Sequence, residues 1–162
     1  MDFTSVVWHA RVMRIYLDNC AFNRPFDDKE QLTIKMEAVA KLYIQDEIRS
    51  GKYDLVWSYM NEYENSDNPY EEKREAIKTW EKIAKQVCPP TDTILARGNE
   101  IQKAHVKPKD SLHLSCAIES GCEYFITTDV PLLKKRTLFT ELKIINPIDF
   151  VREMEAKDAG SK

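Results

Sequence analysis

The chain has 162 residues, 43% of them apolar and 31% charged, which suits one domain with a core that needs no disulfide support. A net charge of −3 argues against a general coat for nucleic acid, which would be basic. No apolar run approaches the length that spans a bilayer, and residues 1–13 lack the basic start, long apolar centre and small-residue cleavage site of a secretory signal. Cys20, Cys88, Cys116 and Cys122 form no CxxC pair and have no histidine cluster beside them, which disfavours structural zinc and fits reduced thiols in a cytoplasm.

In chain order, residues 14–18 (RIYLD) read as a short buried strand, and residues 19–28 (NCAFNRPFDD) as a loop rich in turn formers. A helix over 31–50 follows, with Met36, Val39, Ala40, Tyr43, Ile44 and Ile48 on one face and Gly51 as its stop. Residues 53–58 (YDLVWS) give a second strand, then a short helix carrying Glu62 and Glu64 that Asn68-Pro69 breaks. Residues 70–87 read as one amphipathic helix, with Ala76, Ile77, Trp80, Ile83, Ala84 and Val87 in register. Thr91 or Asp92 caps the next helix, which runs to about Val106, and Pro108-Lys109-Asp110 opens another that Gly121 ends. Residues 124–128 (YFITT) and 142–146 (LKIIN) are the third and fourth strands, and Pro147 opens the last helix. Strand–helix alternation without repeats or linkers predicts one α/β domain with a parallel sheet covered on both faces. The expected strand order is LKIIN, YFITT, RIYLD, YDLVW or its reverse. The domain pattern occupies residues 13–155. Residues 1–12 form a dispensable extension, and residues 156–162 a polar tail expected to fray.

In open α/β sheets, ligands bind beyond the carboxyl ends of the strands. That rule sorts the 27 acidic residues. Asp18 ends the first strand and Asp129 follows YFITT. Glu64 lies just past the second strand, and Asp110 begins a helix whose start can face the same edge. Carboxylates gathered there would repel one another unless a cation lay between them, and an oxygen-only donor set suits Mg²⁺ or Mn²⁺ rather than zinc. Each acid also has a plainer role open to it. Asp110 and Asp129 could cap helices, Asp18 could form an Asx-turn, and Glu64 could be a solvated helix residue. Glu62 and Glu64 point about 200° apart on a helix, so only one can face the edge. His113, on the helix after Asp110, reads as a partly buried polar side chain that could touch substrate. Ser58, Thr127 and Thr128 could position water or phosphate or be ordinary strand-end residues, and Phe22, Trp57, Tyr59 and Tyr63 are candidates for base stacking. Basic rims are available at Lys103, Lys107 and Lys109, and at Lys134, Lys135 and Arg136.

The segments YLDNCAFNRPFDD, VWSYMNEYEN and KPKDSLHLSCAIESGCEYFITTD together resemble the PIN-domain family, in an order and spacing similar to those of VapC-like ribonuclease toxins. The resemblance spans residues 14 to about 150. It implies a three-layer α/β/α domain with a central parallel sheet of four or five strands. Asp18, Glu64, Asp110 and Asp129 match the family's four acids, which implies that they hold Mg²⁺ or Mn²⁺ and cleave RNA, leaving 5′-phosphate and 3′-hydroxyl ends. Asn19, Arg24, Lys109 and Thr128 are the candidate substrate contacts; many family members carry a small hydroxyl residue where this chain has Asn19. The implied partners are the RNA substrate, an antitoxin protein if the chain is a toxin, and a second copy in a homodimer, with no membrane involved.

Other readings compete. A haloacid-dehalogenase phosphatase also places an Asp after its first strand, but needs a second Asp two residues on, where this chain has Cys20. A receiver-like domain needs paired acids before its acceptor strand and a late lysine. The alternative closest to the leading one is a PIN fold that binds protein or RNA without cutting it.

Overall fold

Each strand of the sheet carries apolar side chains on both of its faces, which is what a parallel strand covered above and below requires. The computed structural model describes residues 11–23 and 31–160. Its strands are β1 (Met13–Leu17), β2 (Tyr53–Ser58), β3 (Gln86–Cys88), β4 (Tyr124–Ile126) and β5 (Lys143–Ile145). All neighbouring pairs are parallel, in the order β3-β2-β1-β4-β5. Among the described residues the helices are α1 (Asn19–Asn23), α2 (Leu32–Arg49), α3 (Tyr59–Ser66), α4 (Glu71–Ile83), α5 (Asp92–Gln102), α6 (Pro108–Glu119), α7 (Val130–Leu133) and α8 (Pro147–Gly160).

Ile15, Leu17, Leu55, Trp57, Tyr124 and Ile126 face one way, onto Ile44 and Ile48 of α2, Ile77 and Trp80 of α4, and Phe150 and Met154 of α8. Tyr16, Val56, Phe125 and Ile144 face the other way, onto Ile94 and Ile101 of α5 and Leu114 and Cys116 of α6. The result is a three-layer α/β/α, PIN-like domain. The four-strand order expected from sequence is present, with β3 added at the β2 edge. No helix among the described residues is long and apolar enough to cross a membrane.

Residues 19–23, read as loop, form the short helix α1, and the helix expected to reach about Val106 ends at Gln102; three further expectations need correction. The helix read over 70–87 stops at Ile83, and Gln86–Cys88 instead pairs with β2 as an edge strand, leaving Val87 48% exposed. Lys85 N–H donates to Leu55 O at 2.9 Å, so the chain joins the sheet edge where the helix was expected to continue. The buried face of α2 is turned by about one residue, roughly 100°. Its core side holds Glu37, Ala38, Ala40, Lys41, Ile44, Gln45 and Ile48, while Met36, Val39 and Tyr43 face outward. Polar burial explains the shift, since Glu37 Oε2 accepts a hydrogen bond from Asn146 Nδ2 at 3.0 Å, tying α2 to the start of α8. The outward side chains line a shallow apolar groove of about 480 Å³ together with Ile148 and Val151 of α8. The tail expected to fray from Ala156 stays helical to Gly160. Lys157 Nζ donates to Tyr124 Oη at 2.8 Å, and Asp158 pairs with Lys52 at 2.7 Å. Arg24 and residues 1–10 lie outside the described residues.

The placement of α2 has a direct consequence for stability. Ile44→Ala should destabilise the protein by about 2–5 kcal/mol, as expected for a fully buried branched side chain. Val39→Ala, at a position 68% exposed, should change stability by less than about 0.5 kcal/mol. Chemical denaturation of the two variants measures both, and equal losses would restore the helix face read from sequence.

Candidate functional site

The chain leaves β1 for β2 on one side and later enters β4 on the other, so the crevice between the ends of β1 and β4 is a topological switch point. Asp18 stands at that point, immediately after β1, and only 5% exposed. Its backbone N–H donates to Ile126 O of β4 at 3.0 Å, which fixes it against the neighbouring strand. Its carboxylate is oriented by uncharged donors: Oδ1 accepts from the Asn19 N–H at 2.7 Å, and Oδ2 from Thr127 Oγ1 at 2.9 Å and Cys20 Sγ at 3.3 Å. Thr127 Oγ1 also accepts the Asp129 N–H at 3.1 Å, so one hydroxyl links the two acids across the crevice.

Glu64 reaches the same place from α3. Ser58, the last residue of β2, caps that helix by accepting from the N–H groups of Met60 and Asn61, and Asn61 Oδ1 accepts the Ser58 N–H in return. The fully buried Asn61 amide also donates to Leu17 O at 3.2 Å and Asn19 Oδ1 at 2.7 Å. This staple joins the ends of β1 and β2 and sets the first turn of α3 beside Asp18. Glu62 turns the other way, toward Lys78 of α4 at 3.6 Å. Asp110 sits in the first turn of α6 behind Pro108, with Lys107 at the cap position. Asp129 is the N-cap of α7 and accepts from the Leu132 N–H at 3.2 Å, so it does serve as a helix cap.

Asp18, Glu64, Asp110 and Asp129 line one open cleft of about 530 Å³, with Cys20, Lys107, Pro108 and Lys109 completing its wall. The four acids therefore converge from four separate parts of the chain. Lys109 of the candidate substrate contacts is in the wall, and its Nζ lies 5.5 Å from the centre of the Tyr63 ring. Tyr63 is 54% exposed rather than packed inward. The Asn19 side chain is engaged with Asn61 through both of its amide atoms, and Thr128 is nearly buried, its N–H directed to Cys20 Sγ.

Crowding shows in the electrostatics. Half-burial, reinforced by the charges of Asp18, Asp129 and Glu64, pushes the Asp110 carboxyl up from 3.8 to about 6, against a smaller opposing pull from His113. Among the described residues no lysine or arginine forms an ion pair with any of the four acids; only His113 stands within ion-pair distance, 2.7 Å from Glu64 and 3.9 Å from Asp18. Lys41 is close enough for Asp18 to act on it, yet it is fully buried, its Nζ has no hydrogen-bond partner among the described residues, and it lies 4.3 Å from the centre of the Phe22 ring. Burial pushes its amine well below the usual lysine range, with Cys20 and Asp18 pulling it partly back. An oxygen-rich cleft without a built-in counter-charge fits a hard divalent cation. Asp18, Glu64 and His113 alone could bring one ligand atom each within 4.8 Å of one another.

Sequence reasoning left two parts of this site unassigned. His113 is fully buried and bonded to Glu64, although its position three residues after Asp110 already placed it on the same helix face. Tyr16 hides in an apolar strand, but a hydroxyl in a doubly covered strand needs a partner, and here it has Ser58 and His113.

A family model described as "PIN domain" matches residues 15–137, about three quarters of the chain and all four acids. Among solved structures, the chain is similar to a chain of VapBC2 from Rickettsia felis, crystallised bound to a DNA fragment from the VapBC2 promoter. That likeness has 14% identity and a TM-score of 0.53, and covers 83% of this chain and 98% of that one. It is also similar to a chain of VapBC-1 from nontypeable Haemophilus influenzae, with 16% identity, a TM-score of 0.49 and the same coverages of 83% and 98%. No curated protein sequence matches it significantly.

Asp110 supplies a test that needs no substrate. Its ordinary carboxyl value is 3.8 and its folded value about 6, so between these the folded state holds more protons than the unfolded one. Stability of the metal-free protein should therefore fall as pH rises from about 4 to about 6, and remain lower above that range. Asp110→Asn should flatten this slope and melt above the unsubstituted protein at pH 7. Thermal melts across that range in chelator measure it, and a variant melting lower at pH 7 would mean that the charge is stabilising.

Proposed function

The chain belongs to the PIN domain family, and on that premise we propose that it is a divalent-metal-dependent endoribonuclease of the VapC type, a toxin held in check by an antitoxin protein. The observation that carries the proposal is the cleft itself: four carboxylates from separate elements, at the strand carboxyl ends, with no lysine or arginine paired to any of them among the described residues.

Asp18, Glu64, Asp110 and Asp129 would hold Mg²⁺ or Mn²⁺. The chemistry that such an ion supplies when bound is activation of water and relief of charge on the phosphate oxygens. The protein's own contribution is orientation. Thr127 and the Asn19 N–H fix the rotamer of Asp18, the Leu132 N–H fixes that of Asp129, and the Ser58–Asn61 staple sets the reach of Glu64. Lys107 and Lys109 in the cleft wall would attract the phosphate backbone, which otherwise meets a negative surface. The exposed Tyr63 ring offers a neighbouring base a stacking face. An antitoxin would close the cleft by inserting a basic side chain among the carboxylates in place of the ion. An RNA substrate and an antitoxin partner would put this activity in the cytoplasm.

Cleavage of end-labelled RNA with Mg²⁺, Mn²⁺ or chelator tests the reading. The protein should cut only with metal, and Glu64→Gln should lower the rate on the order of 100-fold or more. Glu62→Gln, at a residue turned toward Lys78, should cut at nearly the original rate. Metal-dependent Mn²⁺ binding without cleavage of any RNA would instead identify a binding module.

A further inference from the structure

A continuous chain of buried hydrogen bonds runs from the end of β2 to the acidic cleft. Ser58 Oγ and Tyr16 Oη are 2.6 Å apart, Tyr16 Oη and His113 Nδ1 are 2.5 Å apart, and His113 Nε2 lies 2.7 Å from Glu64 Oε1. Ser58, Tyr16 and His113 are all 0% exposed. Tyr16 is held in turn by stacking on Phe125, ring centres 5.2 Å apart and planes within 9°, and by an edge contact to the imidazole itself. Ionised Glu64 can only accept, so His113 Nε2 carries the hydrogen. Nδ1 shares its hydrogen bond with the Tyr16 hydroxyl, whose oxygen also meets Ser58 Oγ.

We propose that His113 is a positioning residue for the metal centre: it clamps Oε1 of Glu64 through Nε2–H, so that the carboxylate is presented to the cation in one fixed orientation, while the Tyr16 hydroxyl holds the ring at Nδ1. This rests on the metal-site reading above. His113 stands close enough to Asp18 and Glu64 to offer a ligand atom beside theirs, within 4.8 Å, but two features separate a positioning role from direct ligation. The four acids line the cleft whereas His113 does not, and both ring nitrogens are already committed, one to Tyr16 and one to Glu64. A plain core role is equally disfavoured, because a buried imidazole on an apolar helix face needs no partner on the cleft wall, and an apolar side chain would fill the same volume without the cost of burying a polar ring. Partners of this kind orient ligating side chains, and their loss typically weakens metal affinity by about 10–100-fold.

The experiment is Mn²⁺ titration by calorimetry, with thermal melting in chelator alongside, on the full chain and on His113→Gln, His113→Asn, Tyr16→Phe and Glu64→Gln. A glutamine can place its amide N–H where Nε2 stands, whereas an asparagine can replace only Nδ1, keeping the Tyr16 contact and losing Glu64. The expected result is Mn²⁺ affinity within about threefold of the original for His113→Gln and about 10–100-fold weaker for His113→Asn. In ¹⁵N spectra of the metal-free protein, His113 should show hydrogen on Nε2, and Tyr16→Phe should leave it there, because Glu64 still accepts it. Equal affinity in His113→Asn and the original protein, equal losses in the Asn and Gln variants, or hydrogen on Nδ1 alone would each overturn the proposal while leaving the metal site standing. Absence of Mn²⁺ binding in the original protein, or full binding by Glu64→Gln, would remove the metal reading of Glu64 and this inference with it.

Discussion

Mutual repulsion among carboxylates is the constraint around which this domain is arranged. Two unit charges about 4 Å apart interact by about 4 kcal/mol at an effective dielectric near 20, so gathering four acids in one cleft costs the metal-free fold stability. The sheet bears that cost because its two faces are fully covered, with fifteen buried residues clustered on one side and fourteen on the other. Each acid is attached to a different rigid element: a strand end, a short capped helix, a helix first turn and a second strand end. None can relax away without disturbing an element that the core holds in place. The elevated Asp110 carboxyl records its half-burial first and the charges of Asp18, Asp129 and Glu64 after that.

Much of this was legible in the chain. Four strands, their order, and the convergence of Asp18, Glu64, Asp110 and Asp129 on one edge follow from alternation and from where each acid falls relative to a strand end. Helical geometry says that only one of Glu62 and Glu64 can face the cleft, the family resemblance selects Glu64, and the structure turns the first to Lys78 and the second to the cleft. What periodicity could not supply is β3. Its three residues continue the spacing of α4, since Val87 stands four positions after Ile83, and only pairing with the β2 edge makes them a strand. No local signal in QVC marks it, because the deciding hydrogen bonds come from residues thirty positions away.

The turned face of α2 has a different cause. Apolar counting assumes that burial follows hydrophobicity, and on this helix it does not: Glu37, Lys41 and Gln45 face the core while Val39 and Tyr43 face out. Glu37 is bonded to Asn146, and Lys41 lies against the Phe22 ring, contacts that exist only after α1 and α8 have packed. The same limit hid Asn61 and Tyr16. Each is unremarkable in its own segment and acquires its role from a partner in a distant one. Sequence patterns report what a segment does alone, and buried polar networks are joint properties of several segments.

The identity of the donors around the acids carries the argument one step further. Asp18 and Asp129 are held by a threonine hydroxyl and backbone N–H groups, none of them charged, and Glu64 by an imidazole whose pKa the neighbouring carboxylates raise against the pull of burial. The uncharged donors fix rotamers without cancelling charge, so the cleft is preorganised and still strongly attractive to a cation. A lysine among the carboxylates would orient them equally well but weaken that attraction by the charge it offsets. Lys41 illustrates the distinction from within. It is near enough to feel Asp18, but the core surrounds it and its amine is pushed toward the neutral form, so it does not act as a permanent counter-ion. Folding and ligand binding are thereby coupled: an ion present at about 100 times its dissociation constant would add about 2.7 kcal/mol to stability, comparable in size to the repulsion between a pair of the acids that hold it.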